Sequence, residues 1–147
     1  PKHYVLRTSW VIGEGKNFVR TMLSVGQKGI SPTVVHDQVG RLTFTKQLVA
    51  AAQHLLEKQA PYGTYDVSNS GDSASWADIT REIFRLSGFD NLTVSDMTTE
   101  EYFAGKEGIA PRPLQSTLSL DKIQATGFAP VDWRNDLADY VKKELAQ

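Results

Sequence analysis

Runs of three or four apolar residues alternate with amphipathic helical stretches along nearly the whole chain. That alternation restricts it to an α/β architecture with short strands and abundant helix. Tyr4-Val5-Leu6 marks a strand over 3–8. A helix is expected at about 17–26, capped by Asn17, carrying Phe18, Met22 and Val25 on its apolar face and stopped by Gly26. Residues 33–36 read as a strand, and 44–58 as a strong helix with Leu48, Val49, Ala52, Leu55 and Leu56 in one stripe. Pro61-Tyr62-Gly63 is a turn before a strand at 64–67. Ser75-Trp76-Ala77-Asp78 is a capping box opening a helix with Ile79, Ile83, Phe84 and Leu86, closed by Gly88. Leu92-Thr93-Val94 is strand-like. A short helix starts at Thr98 and ends near Gly105, and residues 106–116 form a loop. Helices at about 119–126 and 133–145 complete the chain. The last has Asp136 in its first turn and Lys142 and Lys143 in its last, as the helix dipole favours.

The 147 residues suffice for one domain with its own core, and no repeat, linker or low-complexity tract divides them. A hydrophobic content of 40% with three Trp argues for an ordered chain. Sixteen basic residues balance seventeen acidic ones, so neither a nucleic acid nor an anionic membrane is an expected partner. The absence of Cys excludes disulfides, thiol nucleophiles and zinc–thiolate sites, and it fits the cytoplasm. No apolar run approaches the roughly 20 residues that span a bilayer. Pro1-Lys2-His3 resembles a cleavage boundary rather than a signal peptide, and the sequon at Asn91-Leu92-Thr93 is read as chance.

The most informative stretch for function is Arg7-Thr8-Ser9-Trp10-Val11-Ile12-Gly13, a polar strand end running into Trp and Gly. Such a strand end suits a ligand-contacting loop. A strand at the extreme N-terminus with nothing to pair it leads to the expectation that the chain is the back half of a larger protein. Its open edge, and helix faces that would cover a sheet, are then expected to be sticky and to favour dimerisation or strand exchange.

Gly13-Glu14-Gly15, followed 24 residues after Gly13 by Asp37, is part of a dinucleotide fingerprint. The third glycine is missing, Phe18 would obstruct helix–strand packing, and Trp10 and Glu14 crowd the turn, so a plain glycine-rich turn is the better reading. Trp10 could stack on a sugar or base while donating its N–H, or pack as core beneath the loop. Arg41, in the polar loop of residues 37–41, suits a phosphate. A surface ion pair with Asp37 is the commoner use. Gly40 is expected to serve a positive-φ turn. Arg112, held between Pro111 and Pro113, suits a diphosphate or carboxylate, although most such Arg are solvent-exposed. His3, His36 and His54 lack metal-ligand spacing. Glu100-Glu101 answers to a helix dipole, and no nucleophile–base arrangement is visible.

Several segments in this order resemble the dTDP-4-dehydrorhamnose reductase family of extended short-chain dehydrogenases/reductases. They are residues 7–13; Lys16-Asn17-Phe18-Val19-Arg20-Thr21-Met22-Leu23; Val34-Val35-His36-Asp37-Gln38-Val39-Gly40; Gly63-Thr64-Tyr65-Asp66-Val67-Ser68 leading to Ser75-Trp76; Arg112-Pro113 with Ser116; and Gly127-Phe128 with Asp132-Trp133. The resemblance covers nearly the whole chain. It implies the C-terminal, substrate-binding portion of a Rossmann-like fold, with the last sheet strands and several helices.

The resemblance further implies that the glycine-rich NADPH fingerprint and the Tyr-x-x-x-Lys catalytic pair lie upstream of residue 7, so no catalytic residue is assigned here. Trp10 would contact the dTDP-sugar, and Thr8 and Ser9 would lie near the nicotinamide end of NADPH. Asn17, Phe18, Arg41 and Arg112 are candidates for the nucleotide-sugar side. The implied partners are the missing N-terminal domain, the dTDP-sugar and a second copy in a homodimer. The sequence departs from the family at Leu42, where Pro often precedes Thr43, at Lys46-Gln47, where a carboxylate pair is common, and at Ile12, where Tyr is expected. The Lys46-Gln47 change puts a magnesium-linked dimer in doubt. The alternatives are a non-catalytic regulatory or scaffold relative of the same fold, and another nucleotide-sugar reductase or epimerase.

Overall fold

The strands pair two by two, and each pair ties together distant parts of the chain. The computed structural model describes residues 1–147. β1 (Tyr4–Arg7) lies parallel to β6 (Gly63–Asp66), with Tyr4 opposite Gly63 and Arg7 opposite Asp66. β2 (Val11–Ile12) lies parallel to β5 (Thr43–Phe44), and β3 (Thr33–Val35) parallel to β8 (Ser95–Met97). β4 (Val39–Gly40) runs antiparallel to β7 (Ala74–Ser75). Parallel pairs need long crossovers. The helices α1 (Phe18–Gln27), α2 (Thr45–Glu57) and α3 (Trp76–Ser87) supply them. The chain continues through α4 (Thr99–Phe103), α5 (Asp121–Gln124) and α6 (Trp133–Leu145). No helix is long and apolar enough to cross a membrane.

Two apolar centres hold these pieces. The larger packs Val19 and Leu23 of α1, Ile79, Ile83 and Phe84 of α3, and Trp133, Leu137 and Val141 of α6 against Ile12, Leu42 and Phe44. The smaller joins Ala51 and Leu55 of α2 to Tyr65 of β6 and Ile123 of α5. Each fully buried Leu, Ile or Val contributes about 1.5–3 kcal/mol. Helix starts agree with the sequence reading: Asn17 Oδ1 accepts from Arg20 N at 3.1 Å, and Ser75 with Asp78 closes a reciprocal capping box. Thr98 and Glu101 close a second box. Asp132 caps α6.

Several expectations need correction. The first strand is not bare: β6 pairs one of its edges, and Val5 and Arg7 stay exposed, because a half-covered two-stranded ribbon alternates inward and outward residues. Gly26 does not stop α1. It is buried inside the helix, where a Cβ would lie 2.3 Å from the Phe89 ring, so its smallness admits Phe89. Gly29, at φ +71°, follows the helix instead. The apolar stripe of α2 is rotated: Gln47, Ala51 and Leu55 face inward, whereas Val49 and Leu56 are 57% and 65% exposed. The strand expected at residues 92–94 forms at Ser95–Met97, where β3 offers its edge.

Candidate functional site

The sequence around residue 10 forces an unusual backbone. Trp10 sits between β1 and β2 with φ +50°, a left-handed conformation that costs a bulky residue about 1–2 kcal/mol. Packing offsets that strain. The Trp10 ring stacks on Trp76 at a centroid distance of 3.8 Å and an interplanar angle of 23°, and Phe18 leans on Trp76 at 4.4 Å. Trp10 O accepts from Thr43 N at 3.0 Å, tying the bend to β5. Gly40 is a strand residue here, not the positive-φ turn expected from its type, since it is absent from the left-handed positions. What Gly40 provides is room. A Cβ there would lie 3.1–3.2 Å from Cζ2, Cε2 and Cη2 of Trp10.

These aromatic rings line a cavity of about 800 Å³, within the range of small-molecule sites, about 300–1,000 Å³. Val34 and Val35 of β3, Gln38, and the segment after α4 complete the lining, which mixes apolar side chains with Ser9, Ser116, Lys106 and Arg112. That segment is a strap with both ends fixed. Its near end is α4, where Asp37 accepts from Thr99 N at 2.9 Å and from Thr99 Oγ1 at 2.6 Å. Its far end is stitched to β4: Val39 N donates to Leu114 O and Ser116 N to Val39 O, each at 2.8 Å. Ser9 Oγ donates to Ser116 O at 3.3 Å, so the strand end of β1 and the strap meet at the cavity. The two Thr99 donors hold the Asp37 carboxyl below its ordinary range. Thr99 Oγ1 also accepts from Gln38 Nε2 at 3.1 Å, which orients Gln38 at the lining.

The candidate residues separate. Trp10, Phe18, Arg112 and Ser9 come together around the cavity. Thr8 lies at the exposed end of β1 and is not part of the lining. Asn17 is occupied as a cap: Nδ2 donates to Gly13 O, Gly15 O and Tyr140 Oη. Arg41 neither pairs with Asp37 nor reaches the cavity. Its guanidinium donates to Leu118 O and, at 3.5 Å, to Gly71 O, and burial pulls its pKa below the ordinary value.

The Gly13–Gly15 turn directs carbonyl oxygens, which a diphosphate cannot use, at Asn17, Tyr140 and Arg20, and the Glu14 carboxylate stands beside it, paired with Arg20 and Lys143. Those two cations hold the Glu14 pKa down, so the carboxylate stays charged and occupies Arg20 and Lys143. At the family's carboxylate-pair position, Lys46 instead reaches Asp136 at 2.6 Å and Gln47 Oε1 accepts from Val131 N.

Sequence reasoning missed Trp76, Gln38, Tyr102 and Lys106. Lys106 lies beyond the end of α4, after Gly105 at φ +73°, so helical spacing gave no signal for its contact with Tyr102. Lys106 Nζ lies over the Tyr102 ring, 3.7 Å from its centroid, and makes no hydrogen bond to the phenol oxygen. The spacing matches Tyr-x-x-x-Lys in letters only. Neither Lys106 nor Arg112 takes part in an ion pair; Lys106 rests on the Tyr102 ring, and both line the cavity.

The family model described as the RmlD substrate-binding domain matches residues 1–146. This chain belongs to the RmlD substrate-binding domain family. It is 41% identical over 140 residues to the spore coat polysaccharide biosynthesis protein SpsK of Bacillus subtilis, covering 95% of this chain and 47% of that protein. It is 36% identical to a probable dTDP-4,6-dihydroxy-2-methyloxan-3-one 4-ketoreductase of Streptomyces antibioticus, covering 99% and 48%. Among solved structures, the dTDP-4-dehydrorhamnose reductase of Clostridium acetobutylicum superposes with a TM-score of 0.85 at 35% identity, over 97% of this chain and 49% of that one. The Bacillus anthracis enzyme, solved in complex with NADP, gives 0.82 at 32% identity, over 98% and 49%. The RmlD-type chain therefore spans about half the length of the relatives it matches, and the α/β reading of a C-terminal half of an extended short-chain dehydrogenase agrees with their folds.

Proposed function

We propose that this chain is the dTDP-sugar-binding part of an NADPH-dependent 4-keto reductase, acting on dTDP-4-dehydro-L-rhamnose in the making of a cell-surface polysaccharide. The cavity carries the reading. The aromatic side chains that line it suit the apolar parts of a nucleotide sugar, and Lys106 and Arg112, which make no ion pair, suit a diphosphate. Relatives named for reduction of dTDP-sugars support it.

In the intact enzyme the reductant supplies hydride to the C4 ketone carbon, and a proton completes the alcohol. The Gly13–Gly15 turn lacks the third glycine of a dinucleotide fingerprint, and the cofactor's binding is assigned to residues outside this chain, with Ser9 at the boundary. The task of these residues is to hold the sugar still, and such positioning lowers a barrier by several kcal/mol. The partner assigned to the exposed Val5, Val49 and Leu56 is the cofactor-binding half, and a homodimer is the further partner. The setting proposed for this chemistry is the cytoplasm.

Calorimetric titration of the chain with dTDP and dTDP-rhamnose tests the reading. Saturable binding that Trp10→Ala weakens about tenfold is the expected result. Absence of binding by both ligands, in the chain and in the longer protein that contains it, would overturn it. The chain alone is expected to show no NADPH oxidation.

A further inference from the structure

The strap beside the cavity is held at its base and nowhere else. Both fixings fall on the stretch Asp37-Gln38-Val39: Asp37 accepts from Thr99, and Val39 exchanges backbone bonds with Leu114 and Ser116. Ser9 and Arg41 pin the far side of the base again by donating to Ser116 O and Leu118 O. The chain therefore leaves and returns through one narrow base, as an Ω-loop does. Beyond Lys106, whose N–H donates to Phe103 O, residues 107–113 make no hydrogen bond within the chain. All of residues 104–115 are exposed. Exposed backbone with so few internal bonds marks the low-stability end of a fold.

The two halves of the strap differ in stiffness. Gly105 and Gly108 sit at φ +73° and +71°, where another residue would be strained. Pro111 and Pro113 fix their own φ and keep Ala110 and Arg112 out of the helical region. A pliable half is thus followed by a stiff arm, with Ile109 at the join. Ile109 lines the cavity yet is 44% exposed, so it has apolar area left to bury. Lys106 and Arg112 line the same cavity without an ion pair. We propose that residues 105–113 are a lid: when a nucleotide diphosphate enters, the arm swings about Gly105 and Gly108 onto the cavity, bringing Lys106 and Arg112 to the phosphates and burying Ile109. The proposal rests on the dTDP-sugar reading of the cavity. No hydrogen bond of residues 107–113 has to break for the swing. Closure excludes water from the sugar, which strengthens each charge contact inside. It also makes release of the nucleotide wait on reopening.

The separation of two spin labels reads the swing, and the chain has no Cys of its own to interfere. One label goes on Ala110→Cys, in the arm. The other goes on Gln27→Cys, at the exposed end of α1, whose residues Phe18, Thr21 and Met22 line the cavity. The intact protein is used, with any Cys outside this chain replaced by Ser. Saturating dTDP-rhamnose and saturating dTDP should each give a shorter and narrower separation. Thymidine, which has no phosphate, should leave it unchanged. Ile109 belongs to neither apolar centre, so Ile109→Ser leaves the fold intact while removing the group that closure buries. It should speed release of dTDP-rhamnose about three- to tenfold, the worth of burying the exposed half of an Ile.

An unchanged separation in a protein that binds dTDP, an equal change with thymidine, or wild-type release from Ile109→Ser would overturn the lid while leaving the dTDP-sugar reading standing. Failure of the wild type to bind dTDP-rhamnose or dTDP would overturn both, and calorimetry on the unlabelled protein tells the two failures apart.

Discussion

Asn69 Nδ2 donates to Asp136 Oδ2 at 2.7 Å, with both residues buried where β5 meets α6. Asn69 Oδ1 meanwhile accepts from Phe44 N at 2.9 Å, so one side chain stitches β5 to the start of α6. Lys46 adds an ion pair to Asp136, but Lys46 is 57% exposed. Asn69→Ala strands two buried groups and should cost about 2–3 kcal/mol. Lys46→Met should cost somewhat less, about 1–2 kcal/mol, because the Lys46 end is solvated while the Asp136 carboxylate, 4% exposed, keeps its bond from Asn69. Urea unfolding of the two variants checks the order. A larger loss at Lys46 would show that the ion pair, not the buried amide, holds α6.

Gly26 faces the Phe89 ring from inside α1, and a Cβ there would meet ring carbons at 2.3 Å. Ala is ordinarily the better helix former by about 1 kcal/mol. Overpacking should reverse that preference, so Gly26→Ala is expected to destabilise by about 1–3 kcal/mol. The double change Gly26→Ala with Phe89→Leu should recover part of the loss in thermal unfolding.

Asp37 accepts from the Thr99 side chain and backbone, and these bonds depress its pKa. The fold thus favours the charged form. Its contribution is complete above the unfolded value, about 3.9, and is lost as pH falls through the lower native value. Between pH 5 and pH 2 the wild type should therefore lose stability more steeply than Thr99→Val, which lacks the hydroxyl donor. Parallel pH profiles from chemical denaturation would remove this coupling between β4 and the strap.

Val49 and Leu56 lie seven residues apart on the exposed side of α2, two turns along the same face, and β1 presents Val5 beside one unpaired edge. Apolar exposure of this kind favours association. Sedimentation of the chain alone should show a weight-average mass that rises with concentration, and Val49→Lys with Leu56→Lys should abolish the rise. A monomer at every concentration would show that this face needs no cover.

Local signals were legible in the residues because their physics is local. The caps at Asn17, Ser75, Thr98 and Asp132 depend on partners no more than three positions away, and each forms as the sequence indicates. The α/β alternation and the family pattern were legible for the same reason, since each motif is a short run. Which face of α2 turns inward was not. Leu48, Val49 and Leu56 carry enough apolar surface to suggest a stripe, but α5 and β6 pack against Ala51 and Leu55. The site followed the same division. Residue types marked Trp10, Phe18 and Arg112 as candidates, but only folding brings Ser9 to Ser116 across 107 positions and sets Trp76 against Trp10. Arg41 and Asn17 looked equally suited to a ligand and are consumed instead by carbonyls and a helix end. A side chain's chemistry is written in its type. Whether that chemistry is left over for a ligand depends on which neighbours claim its donors, acceptors and ring faces, and tertiary packing alone settles that.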